Sequence, residues 1–318
     1  METERVLVAG IPRSGTTWLG KALGATGAGY VHEPDNHLQV PQAWCAKQGL
    51  GSYPALDPGT AAPEYERLWE AAFGGGQRTG LRYNSARLMH RAVPRAGRRS
   101  LHGAGGSPAA GTLRLAGTLA RSAPPQQRSR VVVKSVFCAR SIEWLADRFS
   151  PSVVVIERHP FAVIASWGVL GWDGFLDEDP SAVLQCAERF GVVAPAPGAT
   201  WIERAAWHYG FLTRMLRSAA VRHPEWVVVS HETLCADPLA AFPPLARRLG
   251  LDWTPAAVDF LLASNRRGKG YSTRRVWSEE VDGWRTRLHP DDQDLVAEIL
   301  GRFPDEASLD DALSLHRL

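Results

Sequence analysis

The chain has 318 residues and 45% hydrophobic content, enough for a sizeable core in one large α/β domain or two small ones. A net charge of only +3 gives no global case for nucleic-acid binding. No run of about eighteen apolar residues offers a membrane span, and four widely spaced cysteines, Cys45, Cys138, Cys186 and Cys235, form no metal-binding C-x-x-C pair.

The first element is an apolar run, Val6 to Ala9, of the kind expected for a strand buried on both faces. It breaks into Gly10-Ile11-Pro12-Arg13-Ser14-Gly15-Thr16-Thr17 and resumes as a helix through Leu23. Gly10 and Gly15 allow the backbone to turn and to approach a ligand closely. The amides of Thr16, Thr17 and Trp18 are then the unpaired donors of a helix's first turn, aimed where an anion is favoured, and Arg13 adds a forked charge suited to phosphate or sulfate. The spacing is almost that of a nucleotide P-loop, G-x4-G-K-[ST], but Thr16 stands where the lysine belongs. No convincing apolar strand ending in Asp follows to hold magnesium, which argues against an ATPase.

After a turn at Gly24 to Gly29, Tyr30 to Pro34 is a short extended piece that puts Glu33 near the open end of the sheet. Asp35 to Ala72 is mixed, its scattered aromatics Trp44, Tyr53, Tyr65 and Trp69 belonging to core or to an acceptor pocket. Gly74 to Arg130 is the least regular part, expected to be a mobile lid or insertion around a basic helix at Ser85–Val93. From Ala71 to Ile142 there is no Asp or Glu but thirteen Arg and Lys, a field that a polyanionic ligand could exploit.

Further strands are expected at Arg130 to Ser135, Ser152 to Glu157 and Trp226 to Ser230. Helices are expected from the candidate N-cap Ser141 to Phe149, at Phe161 to Leu170, Pro180–Phe190, Thr200–Arg222, Ala236 to Leu249, Thr254 to Ala263 and Pro290 to Phe303. Strands separated by helices imply parallel β-α-β crossovers, with ligands gathered at the carboxyl ends of the strands.

Two of these stretches, PRSGTTWL at Pro12 to Leu19 and VVVIERHPFAVIASW at Val153 to Trp167 with Arg158 and Ser166 eight apart, resemble the PAPS-dependent sulfotransferases, where PAPS is 3′-phosphoadenosine 5′-phosphosulfate. The resemblance implies a P-loop-kinase-like three-layer α/β/α fold with a central parallel sheet and a flexible basic insertion. It implies one domain over residues 1–318, with 35–130 as a variable acceptor-binding or lid insertion. In that family the first stretch grips the 5′-phosphosulfate, here through Arg13, Ser14, Gly15, Thr16 and Thr17, and the Arg and Ser of the second hold the 3′-phosphate, here Arg158 and Ser166. It further suggests that Trp18 stacks on adenine and that Lys134 contacts the transferred sulfonate or its leaving oxygen. His231 stands where the family carries a nucleotide-contacting Tyr. The basic loop Ser264 to Arg275 falls where a nucleotide-closing loop is expected, with Arg267, Lys269 and Arg274 as its candidates, although the family's usual residue order is not reproduced.

One departure bears on mechanism. Steroid and phenol sulfotransferases carry a catalytic histidine two residues after this lysine, whereas here the strand reads Lys134-Ser135-Val136, and valine cannot accept a proton. Glu33 is the candidate base, as in the protein-tyrosine and carbohydrate sulfotransferases, with His32 and His37 as competitors. The expectation is a cytoplasmic, bacterial enzyme that moves sulfonate from PAPS to a hydroxyl of a small molecule, natural product or glycan without a metal, an amine acceptor remaining open. The alternatives are a P-loop-type ATP-dependent phosphotransferase and a non-catalytic protein that binds PAP, the desulfonated nucleotide.

Overall fold

Five short apolar runs form the strands of one all-parallel sheet in the computed structural model, which describes residues 4–75, 80–101, 107–121, 128–268, 276–277 and 282–304. They are β1 (Glu4–Ala9), β2 (Gly29–His32), β3 (Arg130–Ser135), β4 (Ser152–Glu157) and β5 (Val227–Ser230), in the order β2-β3-β1-β4-β5. Leu7, Val8, Ala9, Val131 to Val133 and Val153 to Ile156 are buried, as continuous apolar strands of a parallel sheet should be. Strand order reverses at β1, whose carboxyl end opens into the Gly10–Thr17 loop, and such a reversal is where α/β sheets bind ligands.

The chain forms two compact units, Met1–Val8 with Gly27–Val153, and Ala9–Thr26 with Val154–Leu318. In the first unit β2 and β3 pair in parallel, with His32 opposite Lys134. Its helices are α2 (Pro41–Ala46), α3 (Pro63–Phe73), α4 (Leu81–Ala92), α5 (Arg95–Arg99), α6 (Pro108–Arg121) and α7 (Ile142–Phe149). The stretch from Gly74 to Arg130 is thus more regular than its sequence suggests, since its described residues hold three helices. Ala110, Leu113, Ala116, Gly117 and Ala120 recur at helical spacing and form the buried face of α6. That face closes a small core of Trp44, Val93, Leu101, Ala110 and Leu113.

In the second unit β4 pairs with β5, Glu157 opposite Ser230. One helical group joins α8 (Pro160–Val169), α10 (Trp201–Arg222) and α14 (Pro290–Leu300); α9 (Pro180–Phe190) precedes α10 in the chain. Another joins α1 (Thr16–Gly24), α11 (His231–Ala236), α12 (Pro238–Arg248) and α13 (Pro255–Ser264). Ser230 caps α11 by accepting from Thr233 N at 3.3 Å. No described helix is long and apolar enough to cross a membrane, and none of the four cysteines forms a disulfide.

Candidate active site

The loop after β1 in the second unit is shaped by two glycines. A Cβ on Gly10 would lie 2.6 Å from Ser14 Oγ, 2.7 Å from the Ile156 carbonyl oxygen and 2.8 Å from Thr16 Cγ2, so no side chain fits there. Gly15 is the N-cap of α1 in the left-handed region (φ +98), and the ring of His231 occupies the space a Cβ would take. No side chain caps α1 and no acidic residue stands in its first turn. Its N-terminal amides are therefore left to be satisfied by something other than a capping side chain, and the dipole favours an anion.

The loop is braced from below and from the side. Ser14, fully buried, donates from Oγ to the Ile11 carbonyl at 2.8 Å. Trp167 on α8 donates from its indole nitrogen to the Pro12 carbonyl at 3.1 Å. Arg13 sits at φ +73, a region that a residue with a side chain occupies at a cost, and such strain gathers at functional sites. From there its Nε donates to Ser166 Oγ at 2.9 Å, while Arg158, at the end of β4, donates to the Arg13 carbonyl at 3.2 Å. The sequence separates these groups by about 150 residues; the fold makes them one cluster of two guanidiniums and a hydroxyl beside a helix N-terminus. Tyr209 on α10, which carries no local sequence signal, donates to the Arg158 carbonyl at 2.6 Å and fixes the strand end.

Trp18 is buried, its indole nitrogen donating to Ser264 Oγ at 3.0 Å and its ring packed edge-on to Phe242 at 5.1 Å and to His231 at 5.9 Å. His231 is buried beneath Gly15, and burial followed by the nearby Arg158 charge holds its pKa well below the ordinary value, so it is a neutral ring. Thr16 is buried, Thr17 half-buried and Arg267 exposed; Lys269 and Arg274 lie outside the described residues.

The first unit brings Glu33 and Lys134 together. The β2–β3 ladder is extended by one rung as Glu33 N donates to the Lys134 carbonyl at 2.7 Å. Glu33 then turns through φ +44, immediately before Pro34, an unfavourable conformation held by Asn36 N donating to its carbonyl at 3.1 Å. Lys134 Nζ donates to Glu33 Oε1, Asn36 Nδ2 donates to Oε2 at 2.7 Å, and His32 Nε2 lies 3.8 Å from Oε2. Burial pushes the Glu33 carboxyl up, but the charges of Lys134 and His32 and the hydrogen bonds from Lys134 and Asn36 prevail and hold it at about 2. Its side chain keeps 13% exposure. His37 is buried, with its pKa well below the ordinary value through burial and then through the charges of Lys47, His90, Arg99 and Arg98. The grouping of Asp35, Lys47, Tyr65 and Ser135 behind this pair carries no sequence signal, because its members are scattered over a hundred residues.

A scan against protein-family models finds no match, and neither does a search of curated proteins. Among solved structures, the sulfotransferase domain of the curacin biosynthetic pathway is 13% identical, with 93% of this chain and 97% of that one covered at a TM-score of 0.45. The sulfotransferase domain of the Synechococcus PCC 7002 olefin synthase is 15% identical, with 94% and 95% covered at 0.46. Mouse sulfotransferase SULT7A1, complexed with PAP, is 10% identical, with 100% and 90% covered at 0.42. At that distance, function has to be read from this chain's own residues.

Proposed function

We propose that this chain transfers the sulfonate group of PAPS to a hydroxyl of a small-molecule or glycan acceptor. The observation that carries the reading is the 2.9 Å hydrogen bond from Arg13 to Ser166, which joins the PRSGTTWL loop to the Arg158-x7-Ser166 element at the uncapped N-terminus of α1. Ser14, Gly15, Thr16, Thr17 and Arg13 hold the 5′-phosphosulfate, and Arg158 and Ser166 the 3′-phosphate. Trp18, His231, Arg267, Lys269 and Arg274 are assigned to the nucleoside and its closing loop. The two glycines without room for a Cβ and the absence of an acidic residue in the first turn of α1 suit such an anion.

In this reading the acceptor oxygen attacks sulfur, the bond from sulfur to the 5′-phosphate oxygen breaks, and the acceptor proton passes to Glu33. Arg13, Lys134 and the α1 amides offset charge on the leaving oxygen. Glu33, held at about 2, is ionised but weakly basic while Lys134 grips it. Its basicity rises when the partner charge of Lys134 is withdrawn.

Calorimetry tests the donor: PAP should bind without magnesium. Binding of magnesium-ATP with no binding of PAP overturns the reading in favour of a phosphotransferase. Glu33→Gln tests the base: PAP affinity should stay nearly intact while transfer is abolished, and retained turnover moves the role to His32 or His37.

A further inference from the structure

Two residues past Glu33, Asp35 is fully buried where three segments of its unit meet. Its Oδ1 accepts a 2.8 Å hydrogen bond from Ser135 Oγ, its Oδ2 a 3.2 Å bond from Tyr65 Oη on α3, and Lys47 Nζ, just past α2, lies 3.7 Å from Oδ2. Ser135 Oγ also accepts from Phe137 N at 3.0 Å, and Lys47 donates to the Ser52 carbonyl at 2.8 Å while sitting 4.6 Å over the Phe137 ring. Asp35, Lys47, Tyr65 and Ser135 are each 0% exposed, so none of them can touch a substrate.

A buried ion pair is weak support for stability, because apolar residues of matching shape often serve as well. The placement of this one is specific. Asp35 is joined to Glu33 through Pro34 alone, and Ser135 is the neighbour of Lys134. The Asp35–Ser135 hydrogen bond thus ties the chain just beyond one half of the Glu33–Lys134 pair to the chain just beyond the other. We infer that Asp35 is a positioning residue: anchored by Lys47 and Tyr65, it sets through Ser135 the register at which Lys134 meets Glu33. Its consequence for turnover rests on the function proposed above; its consequence for the pair does not.

The groups acting on Glu33 are Lys134 on β3, His32 on β2 and Asn36 in the following turn, and its charge is felt in turn by Tyr30 on β2, by Lys47 and by Tyr53. Loosening the Lys134 contact removes the nearest opposite charge and moves the Glu33 titration upward. The test is a 13C NMR titration of the Glu33 carboxyl in nucleotide-free protein, in the native chain and in Asp35→Asn, Ser135→Ala and Ser135→Thr, with kcat and acceptor KM measured on the same samples. Asp35→Asn and Ser135→Ala should raise the Glu33 midpoint by about one unit and lower kcat about ten-fold, with KM within about two-fold. Ser135→Thr keeps the hydroxyl and should titrate as the native chain does. An unmoved midpoint in Ser135→Ala overturns the inference, as does an equal shift in Ser135→Thr, and Ser135→Ala decides the matter if Asp35→Asn does not fold. If the native chain transfers sulfonate to no acceptor, the functional reading fails while the titration still decides the positioning role.

Discussion

Arg13 and Glu33 share a left-handed backbone, at φ +73 and +44, and each turns its side chain into a charge-assisted contact that an extended backbone would not give. Gly10 is the complementary case, where absence of a side chain is required. Gly10→Ala drives a methyl against Ser14, Thr16 and the Ile156 carbonyl, and it should cost about 2 kcal/mol of stability and weaken PAP binding at least about ten-fold, read by urea melts and calorimetry. For Glu33 the folded pKa of about 2 lies below its ordinary 4.5. The stabilisation is therefore fully present above pH 4.5 and lost as the pH falls toward 2. At neutral pH it is on the order of 3 kcal/mol at about 1.36 kcal/mol per unit. Melting curves should show Glu33→Gln less stable than the native chain at pH 7, with the gap closing between pH 4.5 and 2; a gap independent of pH would contradict the Lys134 pairing. The Glu33 side chain was visible in the sequence as a candidate base, but its ionisation state was not, since the lysine that sets it lies 101 residues away.

At the scale of elements, strand positions are legible because continuous valine-rich runs signal burial on both faces, and β3 and β4 fall at the expected residues. Helix α10 announces itself through Thr200 and Glu203, which form a reciprocal capping box. In the α4–α6 region the sequence announces a basic helix at Ser85–Val93, within a residue of the end of α4, but not α6, whose buried stripe is mostly alanine and glycine, residues whose helical use appears only when a partner helix packs close. Gly117 shows the reason: a Cβ there would collide with Cys45 Sγ and come within 3.2 Å of the Pro41 carbonyl, so α6 meets α2 at backbone distance. Gly117→Ala improves helix propensity by about 1 kcal/mol, yet the clash should outweigh it and leave a net loss of about 1–2 kcal/mol in chemical denaturation. An unchanged or raised midpoint would show that α2 and α6 can part without cost.

For the whole molecule, a net charge of +3 conceals an acid-free stretch with thirteen basic residues, and the proposed donor is a polyanion. PAP affinity should fall several-fold between about 0.05 and 0.5 M salt, because exposed arginines such as Arg267 are screened within a Debye length of about 10 Å or less. The buried Arg158 and the α1 amides should keep a salt-insensitive remainder; calorimetry over that range checks both parts. By itself, the sequence determined the α/β class, the order of the strands and helices around the anion loop, and the residue types at each strand end, because hydrophobic period and turn chemistry are local properties of the chain. Only tertiary structure decided that Arg13 reaches Ser166, that Lys134 holds Glu33 and that Asp35 ties Ser135 behind them. Those contacts join residues 153, 101 and 100 positions apart, and no local pattern carries the distance between them.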